Sequence, residues 1–311
     1  MEKFEGSSPH KSVLYQQIIL ALRPDSSGRY VDATVGAGGH AAGILEAASP
    51  SGRLLGLDLD PEALAIAGQR LSQYGQRAVL VQASYTSLSQ QLKRLGWPTV
   101  QGIVIDLGVS SMQLDTPQRG FSFQTDGPLD MRFDPGAQTS AADLVNLLPE
   151  VELADIIWRY GEDRLSRRIA RSIVQHRPFQ TTRQLAEVIA RAYGGNKGRV
   201  HPATRTFQAL RIAVNEELQA IEEVLPQAVA ALEPGGRLAV ISFHSLEDRL
   251  VKQYFRRESR DCICPPEQPV CTCTHKAILR EINRHPIEAE PDETEGNPRA
   301  RSAKLRIAEK L

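Results

Sequence analysis

The first third of the chain alternates short apolar runs with segments in which apolar residues recur at helical spacing. The apolar runs predict four strands, at 29–35, 53–58, 78–81 and 101–106. A helix after the first strand has an apolar face made of Ala41, Ile44, Leu45 and Ala48. Pro61 begins another helix that runs to about residue 74. Continuous apolar strands separated by helices are typical of a parallel sheet buried on both faces, so we predict an α/β fold.

The alternation stops after the fourth strand. Residues 114–136 are rich in Gly, Pro, Asp and Phe, which predicts a long ordered loop. Residues 141–192 have helical periodicity and no strand pattern. A single long helix is predicted over about 203–232, because Glu233-Pro-Gly-Gly236 is a strong helix-ending sequence.

The sheet pattern returns in the last quarter of the chain. Residues 237–243 predict another buried strand, and the segments 277–282 and 303–307 alternate as an antiparallel pair does. We therefore predict one sheet domain interrupted by an inserted helical domain. The predicted boundaries are 1–113 with 215–311 for the sheet domain and 114–214 for the insertion.

Composition and charge narrow the class of protein only slightly. The 37 basic and 37 acidic residues balance, so any surface that binds nucleic acid has to be local. The first ten residues lack the apolar core of a leader peptide, and no apolar run is long enough to span a bilayer. We expect a soluble cytoplasmic protein that does not contact membranes.

The end of the first strand combines a carboxylate with a glycine-rich turn. Asp32 is followed by Gly36, Gly38 and Gly39, and glycines allow a backbone to turn sharply and approach a ligand closely. Asp58 ends the second strand, where a carboxylate can accept hydrogen bonds from both hydroxyls of a ribose. Tight packing between strand and helix also explains such glycines. The addition of Asp58 favours a nucleoside-type ligand.

Two features favour S-adenosylmethionine over a dinucleotide as that ligand. Asp32 would repel a pyrophosphate, whereas it would not repel the positively charged methionine end of S-adenosylmethionine. The closing antiparallel pair is also usual in methyltransferase sheets, an argument by analogy of fold. The predicted fold is thus a Rossmann-like class I methyltransferase sheet with an inserted helical domain. An NAD(P)-dependent oxidoreductase is the alternative from another class of enzyme.

Eight short stretches of the chain form a specific set of motifs. They include Asp32-Ala-Thr-Val-Gly-Ala-Gly-Gly-His40 and Asp106-Leu-Gly-Val-Ser-Ser111. The others lie at 9–14, 119–123, 126–132, 201–208, 241–249 and 297–302. Together they resemble the MraW family of bacterial ribosomal RNA methyltransferases, over nearly the whole chain.

The resemblance implies transfer of a methyl group from S-adenosylmethionine to the N4 amine of one cytidine in the decoding region of 16S rRNA. Its partner would be the small ribosomal subunit. The implied cofactor contacts are Gly38, Gly39, His40, Asp58, Tyr85, Asp106 and Gln113, with Tyr85 near the adenine.

The chain departs from two general methyltransferase patterns. Thr34 stands where the general pattern has its first glycine. The Asp/Asn/Ser-Pro-Pro-aromatic signature of DNA amino-methyltransferases is replaced by Asp106-Leu-Gly-Val, so the catalytic roles of that signature cannot be transferred. A DNA cytosine or adenine amino-methyltransferase remains an alternative with the same chemistry.

The chemistry of a cytosine amine points to three candidate catalytic residues. The amine is a poor nucleophile because its lone pair is delocalised, so a site must orient it and accept its hydrogen bonds. Asp106, Ser110 and Ser111 follow the fourth strand, where such acceptors are needed. Cofactor binding also explains Asp106, and capping of the next turn also explains the serines. His244, after the fifth strand, is a weaker candidate because an isolated His there is more often structural.

Two basic clusters are candidates for RNA binding. Arg164, Arg167, Arg168 and Arg171 have the spacing of one helical face, and we call them the arginine stripe. The second cluster contains Arg199, His201, Arg205 and Arg211, with Phe207 among them. A solvated helix face is the ordinary explanation of such charges, but the family resemblance favours contact with RNA. A non-catalytic RNA-binding assembly factor is the remaining alternative.

All four cysteines lie in one short segment, which we call the cysteine loop, residues 262–273. Cys262-Ile-Cys264 and Cys271-Thr-Cys273 are separated by a stretch that contains Pro265, Pro266 and Pro269. Four thiols in a reducing compartment suggest a closed, tetrahedral zinc site. Against this, the spacing is tighter than the usual two residues, and the motifs of the resemblance omit these cysteines. Two disulfides or four reduced thiols remain alternatives.

Overall fold

A computed structural model describes residues 12–195, 201–265, 267–268 and 270–311. These residues form two compact units. The sheet unit ends at Gly108 and resumes at Ala220, and the helical unit is Val109–Gln219. Both predicted domain junctions, at 113/114 and 214/215, lie inside the helical unit.

The sheet unit contains one eight-stranded sheet with strand order β3-β2-β1-β4-β5-β8-β6. Its strands are β1 Arg29–Asp32, β2 Arg53–Asp58, β3 Ala78–Gln82, β4 Val100–Asp106, β5 Leu232–Ser242, β6 Leu279–Glu281, β7 Ile287–Glu288 and β8 Lys304–Lys310. Neighbours among β1 to β5 pair in parallel, while β8 is antiparallel to β5, β6 and β7. The predicted Rossmann-like α/β sheet with an antiparallel ending is confirmed.

Thirteen α-helices and four short 3-10 helices make up the rest of the regular structure among the described residues, and the α-helices are numbered in chain order. They are α1 Tyr15–Leu22, α2 Gly39–Ala47, α3 Pro61–Leu71, α4 Leu88–Leu95, α5 Ser111–Asp115, α6 Ala141–Leu147, α7 Glu150–Gly161, α8 Ser166–Gln175, α9 Thr182–Ala192, α10 Ala203–Asn215, α11 Glu217–Ala231, α12 Ser245–Glu258 and α13 Pro291–Gly296. None of these helices is long and apolar enough to cross a membrane.

The core of the sheet unit lies on both faces of the sheet. Leu54 and Leu55 are neighbours on β2 whose side chains point to opposite faces, and both are fully buried. The predicted apolar face of α2, from Ala41 to Ala48, is also buried. Helix α1 was not among the predicted elements, although Ile18, Ala21 and Leu22 give it a buried face at helical spacing.

The helical unit includes the predicted ordered loop. Hydrogen bonds between side chains and the backbone hold this loop in place. The guanidinium of Arg119 donates to the carbonyl oxygens of Arg132 and Phe133, at 2.9 and 3.0 Å. The amide of Asn215 donates to the carbonyl of Met131 at 2.7 Å and accepts from the N–H of Phe133 at 2.7 Å. These bonds give partners to backbone groups that lack regular secondary structure.

The prediction of one helix over 203–232 is wrong. Glu216 has a left-handed backbone, with φ of 50°, and separates α10 from α11. No Gly or Pro marks this break in the sequence. Arg211 and Glu217 form an ion pair with two hydrogen bonds, of 2.8 and 2.9 Å, across the corner, and this contact stabilises a turn that local propensity does not predict. The first strand is also shorter than predicted, because β1 ends at Asp32.

Candidate functional site

Three neighbouring parallel strands of the sheet unit each end in an aspartate. In the order β2-β1-β4, the last residues are Asp58, Asp32 and Asp106. We call these three residues the acidic edge. Since the carboxyl ends of parallel strands meet at one edge of a sheet, where ligands of open α/β folds bind, the acidic edge is the candidate site of this unit.

Asp58 organises the glycine-rich turn that follows β1. Its Oδ2 accepts a hydrogen bond from the N–H of Gly36 at 2.8 Å, and its Oδ1 accepts from the N–H of Asp60 at 2.9 Å. A carboxylate has about four lone-pair sites, so Asp58 keeps capacity to accept a hydrogen bond from a ligand as well. Gly36 has a φ of 50°, and among the described residues a Cβ built there would have only the carbonyl oxygen of Thr34 within 4 Å, at 3.8 Å. The described part of the chain therefore leaves that side of the turn open, as close approach of a ligand requires.

The next two glycines have partners within the protein. A Cβ on Gly38, where φ is 78°, would lie 3.3 Å from the Cα of Ala67 on α3. A Cβ on Gly39 would lie 1.9 Å from the Oγ of Ser12. Packing therefore accounts for both glycines, and their contacts with a cofactor stay predictions.

Thr34, the departure from the general glycine pattern, has a clear structural role. Its Oγ1 accepts a 2.7 Å hydrogen bond from the backbone N–H of Asp106. This bond connects the turn after β1 to the end of β4 and fixes the position of Asp106. Sequence reasoning missed this role, because only the β1–β4 pairing brings the two residues together.

His40 is buried between the acidic edge and α1. Its ring stacks on that of Tyr15, with centroids 6.4 Å apart and planes at 15°. Its Nε2 lies 3.8 Å from the Oδ2 of Asp106, a charge contact that is too long for a hydrogen bond. Sequence reasoning predicted His40 and missed Tyr15, whose position depends on how α1 packs against α2.

Several buried polar atoms of this cluster have no hydrogen-bond partner among the described residues. They are the Oδ2 of Asp32, the Oδ1 of Asp106 and both ring nitrogens of His40. The other carboxylate oxygen of Asp32, Oδ1, accepts a hydrogen bond from the N–H of Thr34 at 3.3 Å. Buried polar atoms without partners are rare in folded proteins and mark places where a ligand supplies the partner.

The electrostatics of the cluster favour a positively charged partner. Burial raises the pKa of Asp32 to about 7, although His40 and the N–H of Thr34 reduce the shift, and repulsion by Asp106 and Asp58 adds to it. Burial lowers the pKa of His40, but the carboxylates of Asp106 and Asp32 outweigh it, so that the pKa is raised overall. Burial also raises the pKa of Asp58. The carboxylates of Asp32 and Asp106 beside one imidazole, with Asp58 acting on Asp32, leave an excess of negative charge, which a cationic group would stabilise.

The other predicted cofactor and catalytic residues lie after strands three and four. Tyr85 is partly buried and follows β3. In the helical unit, Ser110 and Gln113 form a capping box at the start of α5. The Oγ of Ser110 accepts from the N–H of Gln113 at 3.2 Å, and the Oε1 of Gln113 accepts from the N–H of Ser110 at 3.0 Å. Ser111 is the first residue of α5. Capping therefore explains Ser110, and its catalytic role stays a prediction.

The arginine stripe is exposed on the helical unit. Arg167, Arg168 and Arg171 lie on the side of α8 opposite to its buried residues, Ile169 and Ile173. Placing Arg164 on the same helical face is wrong, because it precedes the first residue of α8. Arg171 pairs with the carboxylate of Glu150 at 3.4 Å.

The second predicted basic cluster is only partly a surface feature. Arg205 is exposed on α10, and Arg199 lies outside the described residues. Including Arg211 is wrong, since its side chain is largely buried in the ion pair with Glu217. Among the described residues of this cluster, Arg205 is therefore the exposed one that could contact RNA.

Three other residues that the sequence patterns singled out have structural roles. Phe207 is buried and meets the edge of the Phe123 ring at 4.8 Å, so it is not free to stack on a base. His201 packs on the same ring at 4.7 Å. His244 caps α12, where its side chain accepts a hydrogen bond from the N–H of Glu247.

Comparisons with known proteins extend across both units. A family model described as the MraW methylase family matches residues 7–311. A Dehalococcoides mccartyi protein named ribosomal RNA small subunit methyltransferase H is 54% identical over 303 residues, 97% of this chain and 87% of that protein. A Trichlorobacter lovleyi protein of the same name is 50% identical over 316 residues, covering 100% of both chains. A solved rRNA methylase from Streptococcus thermophilus covers 98% of this chain and 99% of its own, at 13% identity and a TM-score of 0.44.

Proposed function

Because the chain belongs to the MraW methylase family, we propose that it methylates the exocyclic N4 amine of one cytidine in the decoding region of 16S rRNA. Relatives about half identical over the full chain are named ribosomal RNA small subunit methyltransferase H, which indicates methylation of ribosomal RNA with S-adenosylmethionine as methyl donor. The single observation that carries the proposal is the acidic edge with its buried oxygens that lack partners among the described residues.

The residues at the acidic edge fit S-adenosylmethionine. The Oδ2 of Asp32 is buried and can accept a hydrogen bond from the ammonium of the methionine part. The free lone pairs of Asp58 can accept the ribose hydroxyls, and the open side of Gly36 leaves room for a ligand against the turn. When bound, S-adenosylmethionine supplies a methyl group that its positively charged sulfur makes electrophilic.

Asp106 is the residue to which we assign an acceptor role for the target amine. The reaction forms a bond between N4 and the methyl carbon, breaks the methyl–sulfur bond and releases one proton from N4. An acceptor for the N–H of the amine increases electron density on nitrogen and holds it in line with the methyl group. The Oδ1 of Asp106 is free to accept among the described residues, and Thr34 fixes the backbone that carries it.

The helical unit carries the proposed RNA surface, at the arginine stripe and Arg205. Exposed guanidinium groups can bind phosphates with two hydrogen bonds and can stack on unpaired bases. The target cytidine has to be single-stranded or turned out of its stack for its amine to be reached. Such contacts supply affinity for RNA in a protein whose total charge is zero.

The experiment that tests the function is methyl transfer from labelled S-adenosylmethionine to small ribosomal subunits from a strain that lacks the activity. We expect label in N4-methylcytidine after digestion to nucleosides, at one cytidine of the decoding region. Free 16S rRNA and single-stranded DNA serve as parallel substrates. Label in 5-methylcytidine or in adenosine, or a preference for DNA, would contradict the proposal.

Two further measurements separate the alternative functions. Asp106→Ala should abolish transfer, while Glu46→Gln, a change at an exposed position of α2, should leave it intact. Equal transfer by Asp106→Ala and the parent would refute the assignment of Asp106. Calorimetry with NAD(P) and with S-adenosylmethionine tests the oxidoreductase alternative directly, and we expect heat of binding only with the latter.

A further inference from the structure

The four cysteines converge in a loop between α12 and β6, in the sheet unit. All four are free thiols, and their sulfurs lie within 4.8 Å of one another. Two of the separations are 3.6 Å, from Cys271 to Cys273, and 3.8 Å, from Cys273 to Cys262. The fold thus brings together cysteines that are up to eleven positions apart along the chain.

The separations of 3.6 and 3.8 Å are close to those between the sulfurs of a metal tetrathiolate. Zinc–sulfur bonds of about 2.3 Å place the sulfurs of a tetrahedral site roughly 3.8 Å apart. Bonded sulfurs in a disulfide would be about 2 Å apart, so neither measured pair is a disulfide. The one-residue spacing, which argued against a metal in the sequence, does not prevent the thiols from forming a compact group.

Hydrophobic packing does not explain why the thiols meet. Cysteines that pack as small apolar residues are usually buried, whereas Cys262 and Cys271 are exposed. The neighbouring apolar side chains, Ile263 and Val270, are 45% and 69% exposed. The cysteine loop therefore lacks a core among its described residues, and in such a segment a metal can supply the stability that burial does not.

The backbone around the thiols is arranged to support them. The N–H of Ile263 donates to the sulfur of Cys273 at 3.4 Å, the kind of outer contact that stabilises a metal-bound thiolate. The ends of the loop are tied together by the N–H of Ile278, which donates to the carbonyl of Glu258 at 2.9 Å. A metal in the loop would thus join the end of α12 to the start of β6.

We infer that Cys262, Cys264, Cys271 and Cys273 bind one structural zinc ion per chain. Four soft thiolate ligands in tetrahedral arrangement select zinc among the metals of ordinary abundance, and four protein ligands leave no position for catalysis. The ion would hold the cysteine loop next to the basic end of α12, at Arg256 and Arg257. This inference is independent of the methyltransferase proposal.

The test measures metal in full-length protein purified without chelator and without a nickel column. We expect about one zinc per chain by elemental analysis. Because the chain has only four cysteines, a thiol reagent reports on the site directly, and we expect all four to be protected until a chelator removes the metal. Replacement of zinc by cobalt should give the strong visible absorption of a tetrahedral cobalt thiolate.

Matched variants separate metal binding from a general effect on folding. Cys271→Ser should lose the zinc, whereas Val270→Ser, an exposed neighbour in the same loop, should retain it. Chelation should lower the melting temperature of the parent and of Val270→Ser by at least about 2–4 °C, and leave that of Cys271→Ser unchanged. Zinc far below one per chain with four reactive thiols, a disulfide-bonded loop, or iron in place of zinc would each overturn the inference.

Discussion

The variant Asp32→Asn removes one charge from the acidic edge and keeps the size and shape of the side chain. Asp32 is 1% exposed. Burial raises its pKa from 3.8 to about 7, even with His40 and the N–H of Thr34 acting in the opposite direction. The folded protein therefore holds this carboxylate at a cost in free energy wherever the pH makes it ionise.

The sign and size of the effect follow from the two pKa values. Asp32 has a higher pKa in the folded chain than in the unfolded chain. At pH values between these two pKa values, the folded chain therefore binds more protons than the unfolded chain. The unfolding free energy therefore falls as the pH rises from about 4 to about 7. Relative to an aspartate with an unshifted pKa, Asp32 costs the folded state roughly 4 kcal/mol at pH 8, where it is ionised, and roughly 1.5 kcal/mol at pH 5, where folding requires it to take up a proton. We expect Asp32→Asn to be more stable than the parent by these amounts, in the absence of ligand.

Urea unfolding at pH 5, 6, 7 and 8 measures this difference. The chain has two tryptophans, Trp97 in the sheet unit and Trp158 in the helical unit. In a Trp158→Phe background, fluorescence reports on Trp97, which is buried in the unit that contains Asp32. Glu46→Gln is the control and should show no comparable pH-dependent gain. A stability difference that does not change with pH, or a variant less stable than the parent at pH 8, would refute the reasoning.

The same variant should bind S-adenosylmethionine more weakly. A hydrogen bond between the ammonium and an ionised carboxylate contributes about 1.5–3 kcal/mol, so calorimetry at pH 8 should show affinity reduced by roughly 10- to 150-fold. In the parent, affinity should increase as the pH rises through about 7, because ionised Asp32 is the binding form. A stabilised variant with unchanged affinity would show that Asp32 does not face the cofactor.

Three more changes test the remaining site residues. Asp58→Ala should weaken S-adenosylmethionine binding by roughly 1.5–3 kcal/mol in calorimetry, and unchanged affinity would remove Asp58 from the site. Replacing the four arginines of the arginine stripe with Gln should make the affinity for small subunits less dependent on salt. The slope of log affinity against log salt concentration should decrease by about 0.7–0.9 for each lost phosphate contact, while the affinity for the cofactor stays constant. If the variant has the same slope as the parent, the stripe is only solvated and does not bind RNA. Ser110→Ala should destabilise the capped turn by about 0.5–2 kcal/mol, whereas Ser110→Asn should keep the cap. Because Ser110→Asn lacks the hydroxyl but retains the cap, loss of turnover in both variants would indicate that the hydroxyl acts in catalysis.

The sheet was predictable from the sequence because strand periodicity and length are local signals. β2 was predicted with its observed ends, 53–58, since its apolar run is bounded by a charged residue on each side. β1 was predicted too long because Val35 continues the apolar run, although its N–H pairs instead with the carbonyl of Leu57 at 2.8 Å. The break at Glu216 was not predictable, because an ion pair that forms only in the folded chain accompanies it.

The candidate site was predictable where its residues end strands. Asp32, Asp58 and Asp106 follow apolar runs, so their common edge could be inferred from the alternation of strands and helices. Capping was one of the two explanations that the sequence left open for Ser110, and the Ser-x-x-Gln spacing to Gln113 is the local signal for the capping box that the structure shows. By contrast, the stacking of Tyr15 on His40 depends on helix packing, for which one sequence contains no local signal.

Other buried charges of the sheet unit show why the acidic edge is exceptional. Arg306 and Asp248 are buried together with hydrogen bonds of 2.7 and 3.1 Å, and Arg237 makes two hydrogen bonds with Glu309, of 3.1 and 3.0 Å. In these pairs the fold supplies each charge with a partner of opposite sign, as burial requires. Asp32 is equally buried, yet among the described residues its Oδ2 has no partner. Unlike these two pairs, Asp32 is a buried carboxylate at the sheet edge where ligands of such folds bind, and a cationic ligand there would offset the cost of its ionisation.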